Sequence, residues 1–356
     1  MGYKKVQVGF SVGGSKLGHN WLLTNPGITI LNCGVPFMNL FREGDDIGVE
    51  KGSLKILSDT ERKPRMLEAL HSIGSRVRHS RLFEGQGWLW ERIEPHWQKA
   101  FERLSRRRGF SARINEDEFR LVYAVASRYS GHGFRRYEAT FYQAFTQRIE
   151  RGMTVFDIGA HVGLFTLAAA KRVGPEGRVY AFEPSPQTAE ILKHHIRLNG
   201  WQDRAEVVPA VVCDVDGVVP FYTHGFTMAA SVGRENVEVL NPEMLDGPVL
   251  KIELPSVTLD GFCEERNIKP NVVKIDVEGA ELLALRGARN LLLNERFSIL
   301  CEIHPRHMRY CGSALPELDE YLAGFGYYLK PLDEPNELGI FHGLVGRQAE
   351  EGIRRG

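Results

Sequence analysis

The sequence predicts an α/β protein with a mostly parallel, seven-stranded sheet, helices on both faces of that sheet and an appended N-terminal region. From residue 154 onward, apolar runs of strand length alternate with helix-forming segments, which is typical of a parallel sheet. Residues 155–166 read V-F-D-I-G-A-H-V-G-L-F-T, an apolar run that ends in Asp157, a turn with two glycines and the start of a helix. Strand, tight turn and helix in this order form the first crossover of a nucleotide-binding unit.

Local patterns place the other elements. Ser185 suits a helix cap, Pro186 suits the first helical position, and Asn199-Gly200 is a stop signal, so a helix is predicted between them. Alternating apolar residues over 110–121 predict a small β-hairpin ahead of the main sheet. The seven strands are predicted near residues 154–157, 178–183, 205–211, 271–276, 297–303, 326–330 and 338–345.

A long insertion separates Ala210 from Asn271, in the place of one crossover. It contains D-V-D-G at residues 214–217 between the apolar runs V-V-C and V-V-P-F-Y, which predicts a hairpin. Residues 225–233 follow and are rich in small side chains, so we expect a mobile loop over the site there.

Composition excludes several classes of protein. The chain has 356 residues, 43% hydrophobic and 25% charged, as in a folded domain, and 45 Lys+Arg balance 45 Asp+Glu. This balance predicts no nucleic-acid or membrane partner, and no apolar run approaches a membrane span or a signal peptide. The five cysteines form no C-x-x-C pair, so we expect reduced thiols in a cytoplasmic protein.

Acidic side chains recur where predicted strands end. Asp157, Glu183 and Asp276 each follow an apolar run directly, and His304 follows the next strand in the chain. Ligands of open α/β sheets bind beyond the carboxyl ends of the strands, so we expect these four residues to face one crevice. A carboxylate at Glu183 suits the two hydroxyls of a ribose.

Three motifs together resemble the FkbM family of S-adenosylmethionine-dependent methyltransferases. They are D-I-G-A-H-V-G from Asp157, A-F-E-P-S-P around Glu183 and V-V-K-I-D-V-E-G-A-E around Asp276. The resemblance covers roughly residues 110–345 and implies a Rossmann-like methyltransferase fold with S-adenosyl-L-methionine as cofactor. It suggests an appended region at 1–109 for substrate selection or oligomerisation, an FkbM-like domain at 110–346 and a polar tail at 347–356.

The resemblance and the strand ends give a set of cofactor-binding candidates. By the resemblance, Glu138 at the start of a predicted helix 139–150 receives the methionine amino group; the alternative is a first-turn charge that the helix dipole favours. The same resemblance carries a loop serine to Ser231. The full set is Tyr137, Glu138, Asp157, Gly159, His161, Gly163, Glu183, Pro184, Asp214, Ser231 and Asp276.

The predicted catalytic residues are Asp276, His304 and Glu302. Histidine has the ordinary pKa of a base near neutral pH, so His304 is the candidate that takes the proton of an acceptor hydroxyl. Asp276 is expected to stay ionised beside the cofactor cation, with Glu302 orienting or assisting. A structural His304 that caps the strand end and a Glu302 in a structural ion pair remain alternatives. Mg²⁺ held by Asp276 and Glu302 also stays open, although no feature of the sequence indicates a metal.

These observations predict an O-methyltransferase that acts on a hydroxyl of a small molecule or sugar, in specialised-metabolite or glycan biosynthesis. An N-methyltransferase on the same scaffold is one alternative. A nucleotide-binding oxidoreductase is another, although G-x-G-x-x-G is absent from the glycine turn. A non-catalytic cofactor-binding module is the third. A homo-oligomer formed through residues 1–109 stays open.

Overall fold

The computed structural model describes residues 87–129, 138–223, 232 and 250–347, all within a compact unit that spans Lys55–Gly356. Within these residues, no helix combines the length and the apolar character that crossing a membrane requires. The elements, in chain order, are α1 (Gly87–Ser105), β1 (Phe110–Ile114), β2 (Asp117–Leu121), α2 (Tyr123–Tyr129), α3 (Ala139–Thr146), β3 (Thr154–Ile158), α4 (Leu164–Val173), β4 (Arg178–Phe182), α5 (Pro186–Asn199), β5 (Ala205–Val208), β6 (Val211–Val212), β7 (Gly217–Thr223), β8 (Leu250–Val257), α6 (Leu259–Arg266), β9 (Val272–Ile275), α7 (Glu281–Arg286), α8 (Arg289–Asn294), β10 (Ser298–Ile303), α9 (Pro305–Tyr310), α10 (Leu315–Ala323), β11 (Tyr327–Pro331) and β12 (Phe341–Arg347).

The main sheet has seven strands in the order β11-β12-β10-β9-β3-β4-β5. Six of them run in one direction, and β12 is antiparallel to both of its neighbours. The chain leaves β3 toward β4 and β5, then returns to the other side of β3 for β9 and β10. The strand order therefore reverses between β3 and β9, where an open α/β sheet binds its ligand. The predicted α/β fold with its seven strands is confirmed.

Side chains of alternating strand residues pack on opposite faces of this sheet. Val155 of β3 joins a core cluster with α2, α3, α4 and α5, whereas Phe156 joins a second cluster with α6 to α10. Both faces are thus covered by helices, which explains why the central strands read as continuous apolar runs. An acid or a lysine inside such a strand needs a partner, because burying a lone charge is costly.

The predicted hairpin at 110–121 is present as β1 and β2, paired from Phe110↔Leu121 to Ile114↔Asp117. Helix α1 packs beside it through Phe101, whose ring stacks on Tyr123 at 4.9 Å between centroids. The part of the predicted appended region that the structure describes therefore contacts the core. The boundary at residue 109 itself stays a prediction.

The predicted hairpin at residues 214–217 is wrong. Strand β8 lies between β6 and β7, parallel to the first and antiparallel to the second. The turn is held by another partner, since the Asp216 carboxylate accepts the N–H of Thr258 at 2.7 Å and its hydroxyl at 3.0 Å. The predicted loop 225–233 lies outside the described residues except for Val232.

The helix predicted after Glu183 is confirmed as α5. The hydroxyl of Ser185 accepts the N–H of Thr188 at 3.4 Å, and Gly200 ends the helix in the left-handed conformation with a φ of 72°. The helix predicted at 139–150 is shorter than expected, since α3 ends at Thr146.

A buried carboxylate ties the hairpin to α3 and α4. Asp117, 3% exposed, accepts hydrogen bonds from Lys171 at 2.7 Å, Arg172 at 2.6 Å and the Tyr142 hydroxyl at 2.7 Å. Burial alone would raise the pKa of Asp117, but these three hydrogen bonds and the Arg172 charge lower it below the ordinary value. The ionised form therefore stabilises the fold above the unfolded-state pKa, and this contribution is lost as the pH falls through the folded pKa.

Replacing Asp117 by alanine is expected to lower the free energy of unfolding by about 3 kcal/mol at pH 7, because it leaves partly buried cations without their partner. Urea denaturation measures this. Glu116→Ala is the matched control, since that carboxylate is half exposed and pairs only with Arg172, at 3.1 Å. The control is expected to cost less than about 1 kcal/mol. Equal costs for the two variants would contradict a structural role for Asp117.

Candidate cofactor crevice and acid cluster

The turn after β3 brings two chain segments into backbone contact. Gly159 has a φ of 73°, and a Cβ there would lie 1.7 Å from the carbonyl oxygen of Asp276. Gly163 has a φ of 91°, and its Cβ would lie 2.1 Å from Cδ1 of Leu192 on α5. The glycines therefore let the end of β9 and helix α5 approach the turn. This requirement is internal to the fold and explains both glycines without a ligand.

Glu183 lies at the end of β4, where the sequence predicts a ribose-binding acid. Its Oε2 accepts the N–H of His161 at 2.8 Å, and its Oε1 accepts the N–H of Ser185 at 2.9 Å. Burial raises the pKa of Glu183 to about 7, against the effect of these two hydrogen bonds. A carboxylate oxygen has two lone pairs, so each oxygen can still accept a further donor.

His161 lies in the same turn with a φ of 50°. Burial lowers the pKa of its imidazole to about 4, although the nearby charge of Asp276 opposes the shift. The ring is therefore neutral near pH 7. The part of His161 that holds the turn together is its backbone N–H, which donates a hydrogen bond to Glu183.

Five of the predicted cofactor-binding residues line one crevice at the carboxyl ends of β3, β4 and β9. Apolar side chains, among them Phe182 and Val211, also line this crevice. The five residues are Gly159, His161, Glu183, Pro184 and Asp276.

The other predicted residues lie elsewhere. Asp157 is fully buried below the crevice, where its Oδ2 accepts the Thr166 hydroxyl at 2.5 Å. Gly163 packs on α5, and Asp214 is exposed in the turn after β6, so the structure does not bring Asp214 to the crevice. Tyr137 and Ser231 lie outside the described residues.

A buried lysine joins the acids at the switch point. Lys274 of β9 is 2% exposed, and its Nζ lies 3.4 Å from Asp157 Oδ1 and 3.1 Å from Asp276 Oδ2. It also donates to the carbonyl of Gly159 at 3.0 Å. Burial would lower the pKa of Lys274, but the charges of Asp276 and Asp157 raise it instead, so the lysine is positively charged.

Sequence reasoning missed Lys274 as a functional residue, although a signal is present. The residue stands inside V-V-K-I, a run that reads as a strand buried on both faces. Lysine is almost never fully buried without a partner, so its place in such a run indicates a nearby acid.

His304 is enclosed by carboxylates. Its Nδ1 lies 2.7 Å from Glu281 Oε1, and its Nε2 lies 3.5 Å from Glu278 Oε2 and 4.0 Å from Glu302 Oε1. Burial would lower the pKa of His304, but Glu278, Glu281 and Glu302 raise it well above the ordinary value. The ring is therefore an imidazolium near neutral pH and cannot accept a proton there. The ordinary pKa used to predict a base does not hold at this position.

A second histidine, which the sequence analysis missed, packs on the first. The rings of His304 and His307 stack at 5.0 Å between centroids, and His307 Nδ1 lies 2.9 Å from Glu278 Oε2. Gly279, with a φ of 103°, allows this approach, because a Cβ there would lie 2.5 Å from the backbone of His307. The motif E-G-A-E thus serves to hold the histidine pair in place.

Asp276 and Glu302 differ in protonation. Burial would raise the pKa of Asp276, but Lys274 and His304 lower it, so this carboxylate is ionised as predicted. Burial and the charge of Asp276 raise the pKa of Glu302, which therefore holds a proton near pH 7. Two adjacent buried carboxylates do not both ionise readily, and here the one beside Lys274 carries the charge.

A third histidine, also missed, lies across the sheet from Glu302. His342 is the second residue of β12 and the direct antiparallel partner of Glu302. Its Nε2 lies 3.7 Å from Glu302 Oε1 and 4.0 Å from Glu138 Oε2. Glu138 therefore lies close to both Glu302 and His342. It has a left-handed φ of 42° at the start of α3.

The described fold is an α/β domain with a crevice at the reversal of strand order, where Glu183 and Asp276 lie. Residues 157–329 match the family model for the Methyltransferase FkbM domain. Over these residues the chain is similar to S-adenosylmethionine-dependent FkbM methyltransferases, as its motifs predict. The match is shorter than the 110–345 that the resemblance suggested.

Several known proteins that are similar to this chain are named methyltransferases. The hexuronic acid methyltransferase AglP of Haloferax volcanii is 28% identical over 167 residues, 44% of this chain and 59% of AglP. The 31-O-demethyl-FK506 methyltransferase FkbM of Streptomyces tacrolimicus is 28% identical over 207 residues, 52% of this chain and 76% of that protein. The crystal structure of methyltransferase FkbM from Methylobacillus flagellatus is similar at 16% identity and a TM-score of 0.37, over 60% of each chain. The chain thus spans less than two thirds of the length of AglP.

The crevice residues fit S-adenosylmethionine by their chemistry. The molecule has an apolar adenine, a ribose diol and a positively charged methionine end. The crevice is lined by the apolar side chains of Phe182 and Val211, by the Glu183 carboxyl group and by the ionised Asp276. Bound there, the cofactor would supply an electrophilic methyl group, and these residues would hold its adenine, its ribose and its methionine end, respectively.

Proposed function

We propose that this protein is an S-adenosylmethionine-dependent O-methyltransferase whose acceptor is a hydroxyl of a small molecule or sugar. One observation carries the proposal: Glu183 and an ionised Asp276 line the same crevice at the strand-order reversal, within an FkbM domain. A sugar acceptor is supported by the name of the relative AglP, a hexuronic acid methyltransferase. We place the reaction in the cytoplasm on the strength of the cysteine pattern.

In this proposal Asp276 faces the cationic end of the cofactor and accepts the hydrogen bond of the acceptor hydroxyl. Asp276 then takes the hydroxyl proton as the oxygen bonds to the methyl group and the methyl–sulfur bond breaks, which releases the neutral thioether. Lys274 keeps Asp276 ionised, and the imidazolium of His304 holds the neighbouring acids in position. Alignment of the reacting atoms by such contacts supplies a large part of the rate, roughly 7–11 kcal/mol in well-oriented reactions. His304 is thus a positioning residue and not the base.

The region before residue 157 lies outside the FkbM match. In our proposal residues 1–109 select the acceptor or join two copies of the chain. Helix α1, within the described part of this region, packs directly on the hairpin and α2.

The first test is calorimetric titration of the full-length protein with S-adenosylhomocysteine. Glu183→Ala is expected to weaken binding by about tenfold or more, because a hydrogen bond to a charged group contributes about 1.5–3 kcal/mol. Glu190→Ala is the matched control, since this acid lies on α5 and its side chain is half exposed. It is expected to leave the affinity unchanged. Absence of binding by the unaltered protein would refute the proposal.

The acceptor class is tested with methyl-labelled S-adenosylmethionine and a panel of uronic acids, other hydroxylated compounds and primary amines. Label transfer to a hydroxyl supports the proposal, whereas transfer to amines alone would establish the N-methyltransferase alternative.

Parallel titration with nicotinamide cofactors tests the oxidoreductase alternative. Tight binding of those cofactors without binding of S-adenosylhomocysteine would favour it over ours.

A further inference from the structure

Three side-chain atoms that can bind a cation converge where β12 begins. They are Oε2 of Glu138, Oε1 of Glu302 and Nε2 of His342, and all lie within 4.8 Å of one another. They come from three different elements, namely the start of α3, β10 and β12. The register Glu302↔His342 places two of them on the same face of the sheet.

The imidazole of His342 is held in one orientation. Asp333 accepts its backbone N–H through Oδ1 at 2.8 Å and contacts its Nδ1 through Oδ2 at 2.5 Å. The ring also stacks on Phe141, with centroids 4.4 Å apart and an interplanar angle of 23°. A carboxylate is an acceptor, so the network assigns the proton to Nδ1 and leaves a lone pair on Nε2.

That lone pair faces two glutamate side chains. Nε2 of His342 is buried and has no hydrogen-bond donor among the described residues, and the Glu302 and Glu138 oxygens lie 3.7 and 4.0 Å from it. Buried polar atoms almost always have a partner. A cation bound between the two glutamates would give Nε2 one, in exchange for the proton that Glu302 holds.

We propose that Glu138, Glu302 and His342 bind one divalent metal ion, with Asp333 as the outer partner that orients the histidine. Ligand atoms 2.0–2.2 Å from an ion stand roughly 3.0–3.5 Å apart, so the separations of 3.7 and 4.0 Å from Nε2 need to close by about 1 Å or less. A carboxylate paired with the second nitrogen of a metal-binding histidine is the usual arrangement around such sites.

The ligand types indicate which ion binds. One imidazole nitrogen with two carboxylate oxygens suits Mn²⁺ or Zn²⁺ better than Mg²⁺ or Ca²⁺, which prefer oxygen alone. Three protein ligands leave at least one position open. An acceptor hydroxyl bound there would become more acidic. This effect on the acceptor rests on the proposed function, whereas the binding of the metal does not. The site differs from the Mg²⁺ site considered from the sequence, which used Asp276 with Glu302.

The test is titration of the full-length protein, freed of metal with a chelator, with Mn²⁺, Zn²⁺ and Mg²⁺ separately, by calorimetry and by the electron spin resonance of Mn²⁺. One equivalent of Mn²⁺ or Zn²⁺ is expected to bind more tightly than Mg²⁺. His342→Ala is expected to weaken binding by at least 100-fold, and Asp333→Asn by 10- to 100-fold. His96→Ala, which removes an exposed histidine of α1, is the control and is expected to change nothing.

Stoichiometric binding that both His342→Ala and Asp333→Asn leave unchanged would overturn the proposal, and so would the absence of stoichiometric binding. Circular dichroism and S-adenosylhomocysteine titration of each variant show whether it is folded. A protein that binds S-adenosylhomocysteine but no metal refutes this inference and leaves the proposed function standing. A protein that binds Mn²⁺ or Zn²⁺ through His342 but no S-adenosylhomocysteine supports this inference and refutes the proposed function.

Discussion

Replacing Lys274 by methionine is expected to lower the free energy of unfolding by about 3–5 kcal/mol at pH 7 and to abolish cofactor binding. The substitution keeps the length of the side chain but removes the charge that lies within 3.4 Å of Asp157 and 3.1 Å of Asp276. Breaking a buried ion pair from one side costs this much, because the remaining charge stays buried without compensation. Here two carboxylates lose their common partner.

The pH dependence gives this prediction a second readout. Without Lys274, burial would raise the folded pKa of Asp276 above its unfolded value. A group with a raised folded pKa stabilises the folded state below its unfolded pKa and loses that contribution as the pH rises through the folded pKa. The deficit of Lys274→Met is therefore expected to be smaller near pH 4 than at pH 7.

Urea denaturation at both pH values measures the effect, together with titration of S-adenosylhomocysteine. Lys171→Met is the matched control, since Lys171 also pairs with an acid, at 2.7 Å, but its side chain is 46% exposed. We expect the control to cost about 1 kcal/mol or less, because solvent screens the exposed Lys171 charge and Asp117 keeps Arg172 and Tyr142 as partners. A pH-independent deficit for Lys274→Met, or one no larger than the control's, would show that Lys274 does not compensate the two acids.

The sequence predicts the fold well because each part of the prediction is local. An apolar run followed at once by Asp157, Glu183 or Asp276 indicates a buried strand and the side chain at its end. The parallel arrangement then brings these ends to one edge. The cap at Ser185 and the stop at Gly200 are local as well, and both are confirmed.

The missed residues depend on long-range register. His342 meets Glu302 only because β12 returns antiparallel between β10 and β11, and no pattern around His342 indicates which strand it will face. Asp214 does not line the crevice, for a related reason. The insertion of β8 beside β6 determines where the turn after β6 lies. A strand position can be predicted from its own residues, but the partner of a strand cannot.

The role of His304 as a base stays a prediction, which the charges around the ring oppose. His304 does not line the crevice that it was predicted to face, and the ordinary pKa of histidine applies only to a ring in water. Glu281 reaches it from α7 and Glu278 from the preceding turn, both through the E-G-A-E segment. The motif that most strongly suggested the family also holds charges that raise the pKa of His304.

Gly159→Ala is expected to cost about 4 kcal/mol or more and to displace Asp276 from the crevice. A residue with a side chain at a φ of 73° costs roughly 1–2 kcal/mol, and the added Cβ would lie 1.7 Å from the carbonyl oxygen of Asp276, where overpacking adds about 1–3 kcal/mol or more. The obstructing atom belongs to the backbone, so no side-chain rotation relieves the clash. Asp276 or the turn itself must move.

Gly152→Ala isolates the conformational part of this cost. Gly152 has a φ of 82°, and a Cβ there would meet nothing within 4 Å, so only the roughly 1–2 kcal/mol for the left-handed conformation is expected. Urea denaturation compares the two variants, and S-adenosylhomocysteine titration reports the crevice. Only Gly159→Ala is expected to lose binding. Both variants could instead lose the same stability and keep the same affinity. In that case the contact with Asp276 is not the reason for glycine at position 159. Close approach of a ligand to the turn would then be the better explanation.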